Sequence, residues 1–156
     1  RDAYALRGLL EGFAATQIPP EAVPGIVSTQ RALIQQMRNA LDAGRFSDVA
    51  ALDLEFHGPI CDAAENSRLQ QVWGSLSAPL QARYANEVDT LYSPAEVIAR
   101  HEVLVALLEA GEPCALETGI RDHYMETARR MTAAMEAPGE IVRREMIGND
   151  SPRGKA

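Results

Sequence analysis

Proline and glycine interrupt this sequence at short intervals, and the segments between them repeat their apolar residues with a helical period. Apolar residues three or four positions apart form one face of an α-helix, whereas the alternation that strands require is missing. Proline ends a helix because it lacks the amide donor and restrains the residue before it. The sequence therefore predicts an all-α protein, an antiparallel bundle of about six helices joined by short turns.

The breaks place five helices near residues 1–16, 24–43, 48–64, 93–111 and 112–135, and a further helix that begins at Asn66 and carries apolar residues to Leu80. Ser47 and Asn66 are expected to cap the third and fourth helices, and Gly44 to end the second. Residues 1–137 are expected to form the helical domain. Residues 138–156 are polar and charged, which predicts a flexible tail.

The net charge of −7 argues against a surface that grips phosphates. If the protein acts on DNA, another segment should make the contact. The two cysteines, Cys61 and Cys114, form no paired motif, which favours a reducing cytoplasm. No apolar run approaches the roughly 20 residues of a membrane span, and no signal peptide is visible, so a cytoplasmic protein without a membrane partner is expected.

Asp53 and His57 are four residues apart, so they lie on one face of the third helix, where both could bind one metal ion. His101 in the fifth helix and His123 in the sixth stand among apolar residues at helical spacing, so both should point inward. A single buried histidine is most simply a hydrogen-bonded core residue. Three of them beside an aspartate would be costly to bury without a shared partner. From the residues alone, a metal site and a hydrogen-bonded core remain equally open.

Five stretches resemble the FCD domain, the C-terminal half of FadR-type members of the GntR family of transcription regulators. They are YALRGLLE at 4–11, DLEFH at 53–57, AAEN at 63–66, HEVL at 101–104, and AGE at 110–112 leading to DH at 122–123. Two positions differ from the usual family pattern, Glu112 in place of aspartate and Leu116 in place of alanine. The winged helix-turn-helix domain that precedes the FCD domain in such regulators is missing from this chain.

The resemblance implies that Asp53, His57, His101 and His123 hold a divalent cation at the floor of an internal cavity. Mixed nitrogen and oxygen ligands suit zinc, nickel, manganese or iron, and zinc is the leading candidate. The resemblance also implies a homodimer, and a regulatory domain that is not an enzyme.

Three further residues are predicted to bind the effector. Arg7 is either a salt-bridged arginine, with Glu11 as one partner, or a clamp for a carboxylate, and the resemblance favours the clamp. Arg83 and Tyr84 are candidate donors from the fourth helix, although they could equally form a surface pair.

The resulting hypothesis is a metal-dependent sensor of a small carboxylate metabolite, which controls DNA binding by an N-terminal domain. One alternative is a helical-bundle metalloenzyme that uses metal-activated water. It would need a general base, and Glu55 should project from a different face than Asp53 and His57. The other alternative is an interaction domain with a structural metal or none.

Overall fold

The computed structural model describes residues 2–136, so Arg1 and the predicted tail at 138–156 lie outside the described residues. The described part is all-α, as predicted, and contains no strand. A short 3-10 turn at Pro20–Ala22 follows the first helix. The six helices are α1 (Asp2–Ala15), α2 (Val23–Asp42), α3 (Phe46–Ala63), α4 (Ser67–Leu91), α5 (Pro94–Ala110) and α6 (Pro113–Glu136).

Helix ends follow local chemistry at most of the predicted positions. Asn66 caps α4 by accepting a hydrogen bond from the Leu69 amide, as predicted. Gly44 and Gly111 turn the chain after α2 and α5 with φ of 67° and 68°. The prediction of Ser47 as a cap is wrong. The carbonyl of Arg45 accepts from two amides of the first turn, so α3 begins at Phe46 and Ser47 lies within it.

Helix α1 packs chiefly against α6, and also against α4 and α3. Two glycines of α1 permit this close approach, since a Cβ added at Gly8 would lie 3.3 Å from the Cβ of Tyr124. Sequential neighbours α2–α3, α3–α4 and α5–α6 also pack together, as short turns predict. Helix α1 has its main partner far along the chain. The turn at Pro20–Ala22 separates it from α2.

Helix α1 buries a polar face and exposes an apolar one. Tyr4, Arg7 and Glu11 point into the bundle and are almost completely buried. On the opposite side, Leu6, Leu9 and Phe13 are 43 to 49% exposed, and we call these three residues the outer face of α1. The usual pattern of a surface helix is the reverse. The inward polar residues mark α1 as part of a site rather than only of the core.

None of the helices within residues 2–136 has both the length and the apolar character needed to cross a membrane.

Candidate metal centre

The four predicted metal ligands converge at the centre of the bundle. Helix α3 supplies Asp53 and His57, α5 supplies His101, and α6 supplies His123. One ligand atom from each lies within 4.8 Å of the other three. Two ligands of one cation, each about 2.1 Å away, can be at most about 4.2 Å apart. The ligand atoms are therefore near each other but must move closer to share one ion.

His101 presents a single nitrogen to this cluster. Its Nδ1 lies 2.7 Å from the carbonyl oxygen of Val97, which can only accept, so Nδ1 carries a proton. Its Nε2 lies 3.2 Å from Oδ1 of Asp53. In neutral His101, Nε2 carries a lone pair that faces a carboxylate oxygen. Two acceptor atoms at this distance repel each other unless a proton or a metal cation lies between them.

The protonation states of two further ligands suit metal binding. Burial alone would raise the pKa of Asp53, but the hydrogen bond to His101 and the nearby histidine charges lower it to about 2. Burial, reinforced by the positive charge of Arg100, holds the pKa of His123 well below its ordinary value. Asp53 is therefore an anion and His123 a neutral imidazole, the forms in which both side chains bind metals.

His57 provides the clearest sign of a missing partner. The side chain is fully buried, and its Nδ1 is hydrogen-bonded to Oε1 of Glu11. Its Nε2 is also buried and has no hydrogen-bond partner among residues 2–136. A bare imidazole nitrogen is costly inside a protein, and metal ligation would satisfy it. The donor set and this unpaired nitrogen together fit a divalent cation.

Glu11 is a residue of the site that sequence reasoning did not identify. Its side chain is fully buried and takes part in three hydrogen bonds. Oε1 contacts Nδ1 of His57, and Oε2 accepts from the indole nitrogen of Trp73 at 3.2 Å and the hydroxyl of Tyr124 at 2.7 Å. The available signal was its position four residues after Arg7, on the same helix face.

Arg7 is buried and has no salt bridge to any residue within 2–136. Its guanidinium lies between the rings of Trp73 and Tyr124, 4.9 Å from each centroid. The Nε and Nη2 atoms are buried and have no hydrogen-bond partner in the described part of the chain. The predicted pairing with Glu11 is not among the hydrogen bonds or ion pairs of residues 2–136, since Glu11 is engaged by its three other donors. Two adjacent unpaired N–H groups form a fork that matches a carboxylate.

A small cavity joins Arg7 to the metal ligands. The volume open to the centre of a water molecule is about 10 Å³, which is enough for one water molecule. The hydroxyl of Tyr4 is also buried here without a partner, and burial raises its pKa, so it remains a donor. The lining residues are Tyr4, Arg7, Asp53, Leu80, Gln81, Tyr84, His123, Tyr124 and Thr127.

The structure separates the two candidates from α4. Tyr84 is buried and lines the cavity beside Asp53. Arg83 is not among the lining residues. Its Nε lies 3.2 Å from Glu87, and its Nη2 lies 3.1 Å from the sulfur of Met135. The cavity therefore brings together Arg7 and Tyr84, with Arg83 on a neighbouring surface.

A hydrogen-bonded network holds the backbone that carries His123. Arg100 donates from Nη2 to the carbonyl of His123 at 2.7 Å and to the hydroxyl of Thr127 at 3.0 Å. It also donates to the hydroxyl of Tyr92, which lies between α4 and α5. These contacts connect the turn of α6 that carries His123 to the junction between α4 and α5.

Comparison with known proteins identifies the family. No curated protein and no solved structure matches the chain. The sequence model of the FCD domain matches residues 2–126, which include all four clustered ligands together with Arg7 and Glu11. Because the match covers most of the chain, the protein belongs to the FCD domain family.

Proposed function

We propose that this domain is the sensor of a transcription regulator of the FadR type within the GntR family, and that it binds a divalent metal ion together with a small carboxylate. The supporting family match is to a regulatory, effector-binding domain. Under this proposal, a DNA-binding domain attached at the N-terminus responds to the ligand. Zinc is the first metal to test, ahead of nickel, manganese and iron.

The observation that carries the proposal is the pairing of unsatisfied donors with a candidate metal cluster around one cavity. The unpaired N–H groups of Arg7 and the unpaired hydroxyl of Tyr4 require an acceptor. Asp53 and His123 line the same cavity and belong to the metal cluster. A bound cation would supply a Lewis acid for an oxygen ligand. A carboxylate would suit both the unpaired donors and the cation, because it is an anion with several acceptor sites.

As the structure stands, the cavity has room for about one water molecule. Even a small carboxylate must therefore displace side chains that line the cavity, which come from α1, α3, α4 and α6. In this proposal, ligand binding is coupled to rearrangement of these side chains, and such a rearrangement would bias an attached DNA-binding domain.

Calorimetry tests the proposed function directly. The zinc-loaded domain is titrated with small carboxylates of increasing size and with the matching uncharged amides, before and after chelation of the metal. At least one carboxylate is expected to bind, and the matching amide is expected to bind at least tenfold more weakly. Chelation of the metal is expected to lower the affinity for the carboxylate by a similar factor. Equal affinity with and without metal would contradict the proposal.

The metalloenzyme alternative gains little from the site. Glu55 is exposed, whereas Asp53 and His57 face the cluster. The carboxylate of Glu11 is buried and engaged by three donors. Turnover of a small-molecule panel that is lost on chelation would be the observation in favour of an enzyme.

The proposed regulator is a homodimer, as the family resemblance implies. The outer face of α1 supports self-association, because three large apolar side chains are exposed in line along one helix. Leu9→Glu is expected to weaken the dimer by two orders of magnitude or more, because burying an unpaired charge costs about 3–5 kcal/mol. Sedimentation across a dilution series measures this. The control is Val103→Glu, which changes an exposed apolar residue of α5. A monomeric wild type, or equal effects of both variants, would contradict this interface.

A further inference from the structure

We infer that Glu11 is a positioning residue for the metal centre: it fixes the proton of His57 on Nδ1, so that the Nε2 lone pair is free to bind the metal. The inference rests on the proposed metal site, and it concerns the charge and tautomer of residues that do not all touch the ion. Neutral imidazole carries one proton, and a histidine with that proton on Nε2 cannot bind a metal through Nε2.

The contacts of Glu11 determine which nitrogen of His57 is protonated. Oε2 of Glu11 already accepts from Trp73 and Tyr124, and Oε1 contacts Nδ1 of His57. We assign Nδ1 as the donor to Oε1, because this arrangement completes the accepting contacts of both carboxylate oxygens. This leaves Nε2 as the nitrogen without a partner. Because His57 offers one ligand atom to the cluster and Nδ1 is engaged by Glu11, Nε2 is the nitrogen available to the metal.

The other oxygen of Glu11 is held by donors from two further helices. Trp73 in α4 donates its indole N–H to Oε2, and an indole nitrogen can never accept. Tyr124 in α6 donates its hydroxyl to the same oxygen. Glu11 therefore cannot rotate away from His57 without losing bonds to α4 and α6, and burial leaves no water to replace them.

Glu11→Gln provides a sharp test because it preserves shape and removes charge. The amide oxygen must face Trp73, whose N–H needs an acceptor, so the amide NH₂ is directed at Nδ1 of His57. That nitrogen must then accept, and its proton moves to Nε2. Zinc affinity is expected to fall about 10- to 100-fold, the usual loss when a partner of a metal-bound histidine is removed.

Nitrogen-15 NMR of the metal-free protein gives a readout independent of metal binding. Nδ1 of His57 is expected to be protonated in the wild type and Nε2 in Glu11→Gln. A wild-type His57 with its proton on Nε2 would overturn the inference without any variant. A Glu11→Gln variant that binds zinc as tightly as the wild type, or that weakens zinc binding with the proton still on Nδ1, would also overturn it.

A second substitution distinguishes the tautomer from general damage. In Glu11→Gln with Trp73→Phe, the indole donor is gone, so the amide can turn its oxygen toward His57. The hydroxyl of Tyr124 can donate or accept and suits either orientation. Two losses of zinc affinity are compared: that of the double variant relative to Trp73→Phe alone, and that of Glu11→Gln relative to the wild type. The first loss is expected to be the smaller. An equal or larger loss would overturn the inference.

Gln30→Met is the matched control for loss of a buried polar group. Gln30 is fully buried in α2 and donates at 3.2 Å to the carbonyl of Phe56, the residue before His57. Its replacement should lower the free energy of unfolding without moving the His57 proton. If the wild type binds none of zinc, nickel, manganese and iron, the proposed function fails, whereas the NMR readout still decides which nitrogen of His57 carries the proton beside Glu11.

Discussion

His101→Ala is expected to weaken metal binding by two to three orders of magnitude. Structural zinc sites bind with about 10–16 kcal/mol, and one of four ligands contributes roughly a quarter of that energy. Each 1.4 kcal/mol corresponds to a factor of ten, which gives the expected range. Asp53→Ala should cause a similar loss, because it removes the anion that faces His101 at 3.2 Å. Metal analysis after dialysis and zinc calorimetry measure both effects.

The matched control for Asp53→Ala is Glu55→Ala. Glu55 lies two residues along the same helix but is exposed, so its removal should leave zinc affinity within about twofold of the wild type. Glu102→Ala is the corresponding control for His101→Ala, since Glu102 is the next residue in the chain but is exposed and pairs with Arg38. If both ligand variants bind metal as tightly as the wild type, the assignment of these residues is wrong.

Arg7→Met is expected to reduce carboxylate affinity about 100-fold and to leave zinc affinity close to that of the wild type. A pair of charge-assisted hydrogen bonds is worth about 3 kcal/mol, which corresponds to that factor. Methionine fills a similar volume between Trp73 and Tyr124 but offers no donor. Arg7→Lys keeps the charge without the planar fork, so an intermediate loss is expected. Calorimetry of the zinc-loaded variants with the carboxylate that binds the wild type measures the effect.

Arg38→Met controls for the general loss of a positive charge. Arg38 is an exposed arginine that pairs with Glu102, outside the residues that line the cavity. Its removal should change carboxylate affinity by less than a factor of about two or three. Equal losses in Arg7→Met and Arg38→Met would show that Arg7 acts only through net charge, contrary to the proposed clamp.

The helices and the metal cluster could be predicted because both depend on spacing along the chain. Proline and glycine mark the ends of helices, and a four-residue interval places Asp53 and His57 on one face. His101 and His123 needed only inward orientation, which their apolar neighbours indicated. The confirmed capping by Asn66 is likewise a local effect.

The sequence placed Glu11 on the same face as Arg7, but its contacts could not be predicted because its partners are distant in sequence. They lie 46, 62 and 113 residues away, on three other helices. The sequence also could not show which face of α1 is buried. Leu6, Leu9 and Phe13 have the spacing of a core stripe, yet the bundle buries the polar side of the helix. No pattern within α1 alone distinguishes the two orientations.

Adjacent residues on one helix posed a related difficulty. Arg83 and Tyr84 point about 100° apart, so a narrow cavity beside α4 accommodates only one of them. The sequence offered no means of choosing, and the structure places Tyr84 in the lining. A role for Arg83 in effector binding stays a prediction.

Arg7 and Glu11 stand one turn apart on the same helix, so α1 is a single rigid lever with two points of action. A rotation of α1 on anion binding would move the Arg7 guanidinium and the Glu11 carboxylate together, and so would shift the side chain that contacts His57. A conformational change of the helix would therefore reach the anion site and the metal cluster at once, whereas a substitution at Arg7 alone changes only the first.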